Sequence, residues 1–275
     1  MAIISICRGT KSGGNALADC MSQKTGYPTL GLEVIEQAAA QLGVAPEDLD
    51  EKLEDRPGLF DRSASLRKLY LAAIRAELAR QVVEAEGDII YHGLAGGLLL
   101  KAVPGVFCIR LIAPLDLRVQ ALRETERMDP DEAEAYIQEV DEARAQWVKT
   151  MYGEDILDPT LYDMIVNLET FSVSETCQIV LAGVRQPEFK ITPERLERIQ
   201  DFRIASDVRL ALLDDMGTQT LDLDAQSRDR VVTVTGEAPM YSRTGDVGQR
   251  ITEIASSVSG VKDVVLDLEW FDPYP

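Results

Sequence analysis

The stretch from Ala2 to Cys7 is apolar except for Ser5, and it runs directly into Arg8-Gly9-Thr10-Lys11-Ser12-Gly13-Gly14-Asn15. Beyond that loop, Ala16, Leu17, Cys20 and Met21 recur at helical spacing. A buried strand, a glycine-bearing loop and a helix, in that order, start a βαβ unit, which commits this part of the chain to a parallel sheet covered by helices. Backbone N–H groups of such a loop, with the helix N-terminus behind them, can meet an anion, so phosphate is the ligand class the opening favours. Aligning Gly13 with the second glycine of G-x-x-x-x-G-K-[ST] puts Gly14 at the lysine and Asn15 at the hydroxyl residue, so the full signature is not present.

The following pattern keeps alternating. Helical periodicity is expected over about 32–42 and, after a charged segment from Glu47 to Asp61, over 65–86, where Gly87 stops it. Strands are expected at 88–91, 106–112 and 162–167, and helices at 114–127, 130–152 and 174–183, with Asp129-Pro130 breaking the middle pair. In an open sheet of this kind the ligand site lies at the strand C-termini. Around Gln186-Pro187-Glu188 the pattern changes, and Thr192-Pro193 caps a helix expected to reach Met216. Strands at 218–224, 230–236 and 261–269 and a helix at 242–258 then make a small α+β module, which divides the chain into residues 1–187 and 192–275.

Composition narrows the partners. A net charge of -19 over 275 residues opposes binding to nucleic acid or to an anionic bilayer through the overall field. No apolar run reaches the roughly 18 residues of a membrane span, and Met1 is not followed by a basic n-region, so a cytoplasmic location is the expectation. Cys7, Cys20, Cys108 and Cys177 lie far apart without a Cys-x-x-Cys, which predicts free thiols. His92 is the only histidine, so a multi-histidine metal centre is excluded and no metal-ligand set is expected.

Ile4-Ser5-Ile6-Cys7-Arg8 with Ser12-Gly13-Gly14 resembles the start of the cytidylate kinase-like P-loop proteins, which read I-T-I-S-R-x-x-G-S-G-G. Asp141-Glu142-Ala143-Arg144 resembles their D-x-x-R, Asp158 to Asn167 their D-P-x-x-Y-D-L-x-I-N, and Arg118 their arginine after the fourth strand. The likeness spans about residues 1–185 and implies a P-loop kinase-like fold in which Ser12, Gly13, Gly14 and Asn15 cradle the phosphates of ATP with Mg²⁺. It further implies that a region near 32–80 covers a nucleotide or other small acceptor. Arg118, Arg123, Arg127 and Arg144 become candidates for charge on the transferring group, Lys11 and Arg8 for added charge, and Asp141 for orienting Arg144 along one helix face. The sequence departs from these relatives in having Lys11 where they have glycine and Leu94 where they have the arginine of G-R. The plainer readings stay open: a tight turn at Ser12-Gly13-Gly14, and arginines that are solvated surface paired with Glu124, Glu126, Asp141 and Glu142.

From about 200 to 270, Val231 to Gly236 and Ser259 to Val264 resemble the V-x-L-x-G and G-V-x-x-V of a BON domain. Such domains are associated with phospholipid or partner binding. With the acidity of this half, the resemblance implies a protein partner or ligand sensing here rather than membrane attachment. The alternative is an appendage that stabilises or dimerises the first domain. For the whole chain two functions follow: a nucleotide-binding phosphotransferase coupled to a binding module, or a kinase-like regulatory or scaffold protein without turnover.

Overall fold

The structure is a computed structural model that describes residues 2–45, 64–239 and 247–271. The expected charged segment at 47–61 and the first residues of the helix expected from 242 lie outside the described residues. The described chain forms two compact units, one of residues 2–33 and 85–191, the other of 34–45, 64–84, 192–239 and 247–271. No helix among the described residues is long and apolar enough to cross a membrane.

The first unit is built on a five-stranded sheet. Its strands are β1 (Ile3–Arg8), β2 (Thr29–Leu30), β3 (Ile89–Tyr91), β4 (Val106–Ile112) and β5 (Met164–Asn167), in the order β2-β3-β1-β4-β5. Every pairing is parallel, with Ile4 opposite Ile90 on one side and Phe107 on the other. Ile3, Ile4 and Ile6 are fully buried, because a central parallel strand is covered on both faces. On one face, helix α1 (Gly14–Thr25) packs Leu17 and Met21 into the cluster of Ile4, Ile6, Ile90, Ile109 and Leu111, joined by Cys177 and Val180. Burying each such aliphatic side chain contributes about 1.5–3 kcal/mol. The chain order reverses at β1, between β3 and β4, so the loop leaving β1 occupies the crevice where open α/β sheets place ligands.

Helix α2 (Glu33–Leu42) from residue 34 onward and helix α3 (Ala64–Glu84) interrupt this sheet in sequence, yet they pack in the second unit. Helix α4 (Gly96–Leu99) is a single turn after β3. Helices α5 (Leu115–Glu126) and α6 (Pro130–Tyr152) follow β4 and share a small core of Leu122, Ala133 and Ile137. Asp129 caps α6 through the N–H groups of Asp131 and Glu132. Helix α7 (Val173–Val184) starts with a reciprocal Ser172–Glu175 capping box. The break near Pro187 does not end the first unit: Phe189 packs edge-on to Phe107 at 4.6 Å, and Ile191 still lies against Gly87.

The second unit is organised by helix α8 (Pro193–Asp214), capped by Thr192 as the sequence predicts. Its Ile204, Val208 and Leu212 pack on the sheet of β6 (Asp222–Arg228), β7 (Val231–Pro239) and β8 (Asp263–Phe271), together with Ile251 and Ala255 of α9 (Val247–Ser257). β6 pairs antiparallel with β7, and β7 parallel with β8. Helix α3 packs along α8, with Arg80 ion-paired to Asp207 and the Arg75 guanidinium 4.8 Å from the Phe202 ring centre. The strand expected at 218–224 begins only at Asp222. Thr218 instead finishes the end of α8, donating its hydroxyl to the Leu212 carbonyl at 2.6 Å and its N–H to Asp215.

Candidate nucleotide-phosphate site

The site grows from the end of β1. Gly13 adopts the left-handed conformation (φ 78, ψ 10) at the N-cap of α1 and provides no side-chain cap, so the helix's first N–H groups remain open. Ser12 is buried at 2% exposure, and its Oγ has no hydrogen-bond partner. A buried hydroxyl without a partner is costly unless something else satisfies it. Arg8 lies across the first turn of α1, where its Nη2 donates to Asn15 Oδ1 at 2.9 Å and its Nη1 to the His92 carbonyl.

Two helices outside the loop complete the site. Asp141 of α6 accepts the Thr10 N–H and the Thr10 hydroxyl, both at 2.8 Å, on one oxygen, and Arg118 Nη1 of α5 at 2.5 Å on the other. The carboxylate therefore orients Arg118 and the loop, not Arg144 as the spacing along one helix predicts. Arg144 donates to Thr10 Oγ1 at 3.2 Å instead. Burial alone would raise the Asp141 pKa, but the hydrogen bonds from Arg118 and from both donors of Thr10 outweigh it and hold the carboxyl below its ordinary value. Gly9 leaves room for this closure, since a Cβ there would lie 2.8 Å from Arg118 Nη1 and 3.0 Å from Ser12 Oγ and would displace the arginine.

A cavity of about 580 Å³ opens over the loop, lined in part by Arg8, Lys11, Ser12, Asn15, Tyr136 and Arg144. Burial and the proximity of Arg144 both lower the pKa of Arg8, so two guanidinium groups converge on one space. Among the described residues neither has a carboxylate partner. Lys11 also lines the cavity, but its ammonium is tied to Thr125 Oγ1 at 3.0 Å and Glu126 Oε1 at 3.2 Å. Arg127 is exposed as the left-handed C-cap of α5 (φ 60) and does not line the cavity. Arg123 is likewise exposed on α5 and lines a separate groove with Glu124 and Glu134.

His92 follows β3 with its backbone carbonyl on Arg8 and its ring against Gly31, and burial followed by the Arg8 charge pushes its pKa down. Trp147 packs edge-on to Tyr152 at 5.8 Å within α6. Asp163 extends the β4–β5 pairing by donating its N–H to the Cys108 carbonyl at 2.8 Å and accepting the Cys108 N–H on its carboxylate at 2.7 Å.

The open α1 N-terminus, the orphaned Ser12 hydroxyl and the two converging arginines fit a polyphosphate. Among the described residues no group of three His, Cys, Asp or Glu side chains could hold a metal. A Mg²⁺ ion here would take its oxygens mainly from phosphates and water, as is usual for that ion. Thr10 is the residue that sequence reasoning missed: it links Asp141, Arg118 and Arg144, and nothing in a loop threonine announces that role.

A parallel sheet in this order, with a glycine-rich loop leaving β1 and arginine-bearing helices after β4, defines a P-loop kinase-like α/β domain followed by a small α+β module. The profile of the Cytidylate kinase-like family matches residues 3–170 and that of the BON domain residues 200–270, so the chain belongs to the cytidylate kinase-like family and carries a BON domain. It is similar to the cytidylate kinase of Methanopyrus kandleri, 27% identical over 186 residues that cover 64% of this chain and 87% of that protein. It is also similar to the cytidylate kinase of Archaeoglobus fulgidus, 24% identical with 68% and 97% covered. Among solved structures, an uncharacterized protein from Eubacterium ventriosum shares the fold, with a TM-score of 0.52, 15% identity, and coverage of 67% of this chain and 98% of that one.

Proposed function

We propose that the first unit binds a nucleoside triphosphate through its phosphates and passes the terminal phosphoryl group to a nucleoside monophosphate or another small acceptor, while the BON domain engages a protein partner. The observation that carries this reading is the incomplete polar site at the α1 N-terminus: open N–H groups, a buried hydroxyl without a partner, and two guanidinium groups facing one cavity. The relatives' description as cytidylate kinases favours a nucleotide over other phosphates. We place the protein in the cytoplasm, where its four thiols stay reduced.

ATP with Mg²⁺, when bound, supplies the phosphoryl group and a metal ion that offsets the charge of its oxygens. The chain's own residues bind and orient. Ser12 and the first N–H groups of α1 donate to phosphate oxygens, and Asn15 holds Arg8 beside them. Arg144 adds charge from α6, while Asp141 holds Arg118 and Thr10 so that α6 stays on the loop.

Titration calorimetry of the full chain with Mg·ATP, then with CMP beside a non-hydrolysable ATP analogue, tests the proposal, because stoichiometric heat cannot come from a trace kinase. Each ligand should saturate one site of its own per chain. Arg144→Ala should lower phosphoryl transfer by about 10²–10³-fold with an unchanged melting temperature. Nucleotide binding without CMP binding or transfer would make the domain a nucleotide sensor, and no binding at all would leave only its surfaces for function.

A further inference from the structure

Two positions of the phosphate-loop pattern have exchanged occupants. With Gly13 as the second glycine of G-x-x-x-x-G-K-[ST], Arg8 stands at the first glycine and Gly14 at the lysine. The structure links the two substitutions. A Cβ built on Gly14 would lie 1.8 Å from Arg8 Cδ, 2.6 Å from Nε and 3.1 Å from Cγ, and these are its three nearest heavy atoms. No side chain can stand at 14 while Arg8 takes this course. The glycine is not there for the turn, because the left-handed residues of the loop are Lys11 and Gly13, and Gly14 is already helical.

The arginine's partners are neutral. Its guanidinium donates to the amide oxygen of Asn15 and the backbone carbonyl of His92, which orient it without neutralising it. It lines the same cavity as Arg144, and convergence of two cations there is unfavourable until an anion lies between them.

We propose that Arg8 supplies, from the position of the first glycine, the positive charge that the pattern assigns to its lysine, and that it holds a terminal phosphate of a nucleoside triphosphate against the α1 N-terminus together with Arg144. Gly14 is the space this exchange requires. The inference rests on the nucleotide reading above and names how that site replaces its missing lysine.

The test is a swap in the full chain, read by calorimetry with Mg·ATP and by thermal melting. Arg8→Gly and Gly14→Lys should each weaken binding about tenfold or more, the first by losing the charge and the second by displacing Arg8. The double variant Arg8→Gly/Gly14→Lys, which restores the first glycine and the lysine of the pattern and leaves Asn15 at its hydroxyl position, should bind about tenfold better than either single change. A purely structural role for Arg8 gives no such rescue. Arg8→Met, which keeps an apolar stem over Gly14 and loses the charge, serves if Arg8→Gly melts early, and it should lose binding to the same extent. Wild-type affinity in a folded Arg8→Met, or a folded double variant no better than Arg8→Gly, would overturn the exchange and leave nucleotide binding standing. Absence of Mg·ATP binding by the unaltered chain would instead overturn the nucleotide reading, and this inference with it.

Discussion

Asp141 and Asp201 solve one problem in two regions with different results. Each projects from a helix and captures a loop: Asp141 takes the N–H and hydroxyl of Thr10, and Asp201 takes the Ser227 hydroxyl at 2.7 Å and the N–H groups of Asp229 and Arg230 at 2.9 and 2.8 Å. Asp201 is 4% exposed and closes the β6–β7 turn, whose Asp229 and Arg230 both have positive φ as a two-residue hairpin turn requires. Around Asp141 the surroundings stay incomplete. Its side chain is 31% exposed, and nearby Ser12 Oγ and Arg118 Nε are buried without partners. A carboxylate fully committed to donors of its own chain builds a scaffold, whereas one that leaves adjacent donors open builds a site. The β6–β7 turn of the BON domain is thus closed by its own chain, whereas the loop after β1 of the kinase-like unit keeps donors open.

The largest test of that contrast is Asp201→Ala. Three donors, in partly buried hydrogen bonds, lose their common acceptor, which should cost the second unit about 3 kcal/mol. In a Trp147→Phe background Trp270 of β8 is the sole tryptophan, so its fluorescence in urea follows this unit. The midpoint should fall while Mg·ATP binding is retained. A cost under about 1 kcal/mol would mean that water replaces the carboxylate and that the turn is less closed than its hydrogen bonds indicate.

Asp141→Asn should have a smaller effect, one that depends on pH. The folded carboxyl titrates below its unfolded value of about 3.9, so its stabilisation is fully present above that value and is lost as pH falls through the folded pKa. With Trp270→Phe leaving Trp147 as reporter, the first unit should weaken as pH falls below about 3.9. Asp141→Asn should flatten that slope and cost about 1 kcal/mol at pH 7, a figure discounted for partial exposure. A slope identical to that of the unaltered chain would remove Asp141 from the closure of the loop.

Much of this architecture is legible in the chain because its signals are local. The apolar runs of β1 and β4, the Asp129-Pro130 and Thr192-Pro193 caps and the glycines after Ser12 each act within a few residues of themselves. What escapes the sequence is pairing at a distance. β2 has only Thr29 and Leu30, too few to show a period. The α3 helix follows a strand of the kinase-like sheet in sequence but is drawn to α8 by Arg80, Asp207 and Phe202, partners more than 120 residues away. Asp141 faces both Arg144 by spacing and Arg118 by folding, and only the fold decides for Arg118. Gly14 shows that a lysine is missing, but not that the Arg8 side chain lies over its place.

Lys11 is the finest probe, because the expected effect is nearly none. By charge and position it is an obvious substitute for the absent lysine, and it lines the cavity. Its backbone is left-handed (φ 58), and its ammonium is bound to Thr125 and Glu126 at the end of α5, in a pair whose side chains are 32% and 51% exposed. An exposed pair of this kind contributes between about 0 and 1 kcal/mol, and moving the ammonium to a phosphate would leave the Glu126 carboxylate unpaired beside that same anion. Lys11→Ala should therefore change Mg·ATP affinity by less than about threefold, against about tenfold or more for Arg8→Met. Equal losses in the two variants would mean that Lys11 leaves Glu126 when nucleotide arrives. The charge would then come from a mobile lysine on the α5 side as well as from the arginine fixed by Asn15, and the open side of the comparison would extend from the loop into α5.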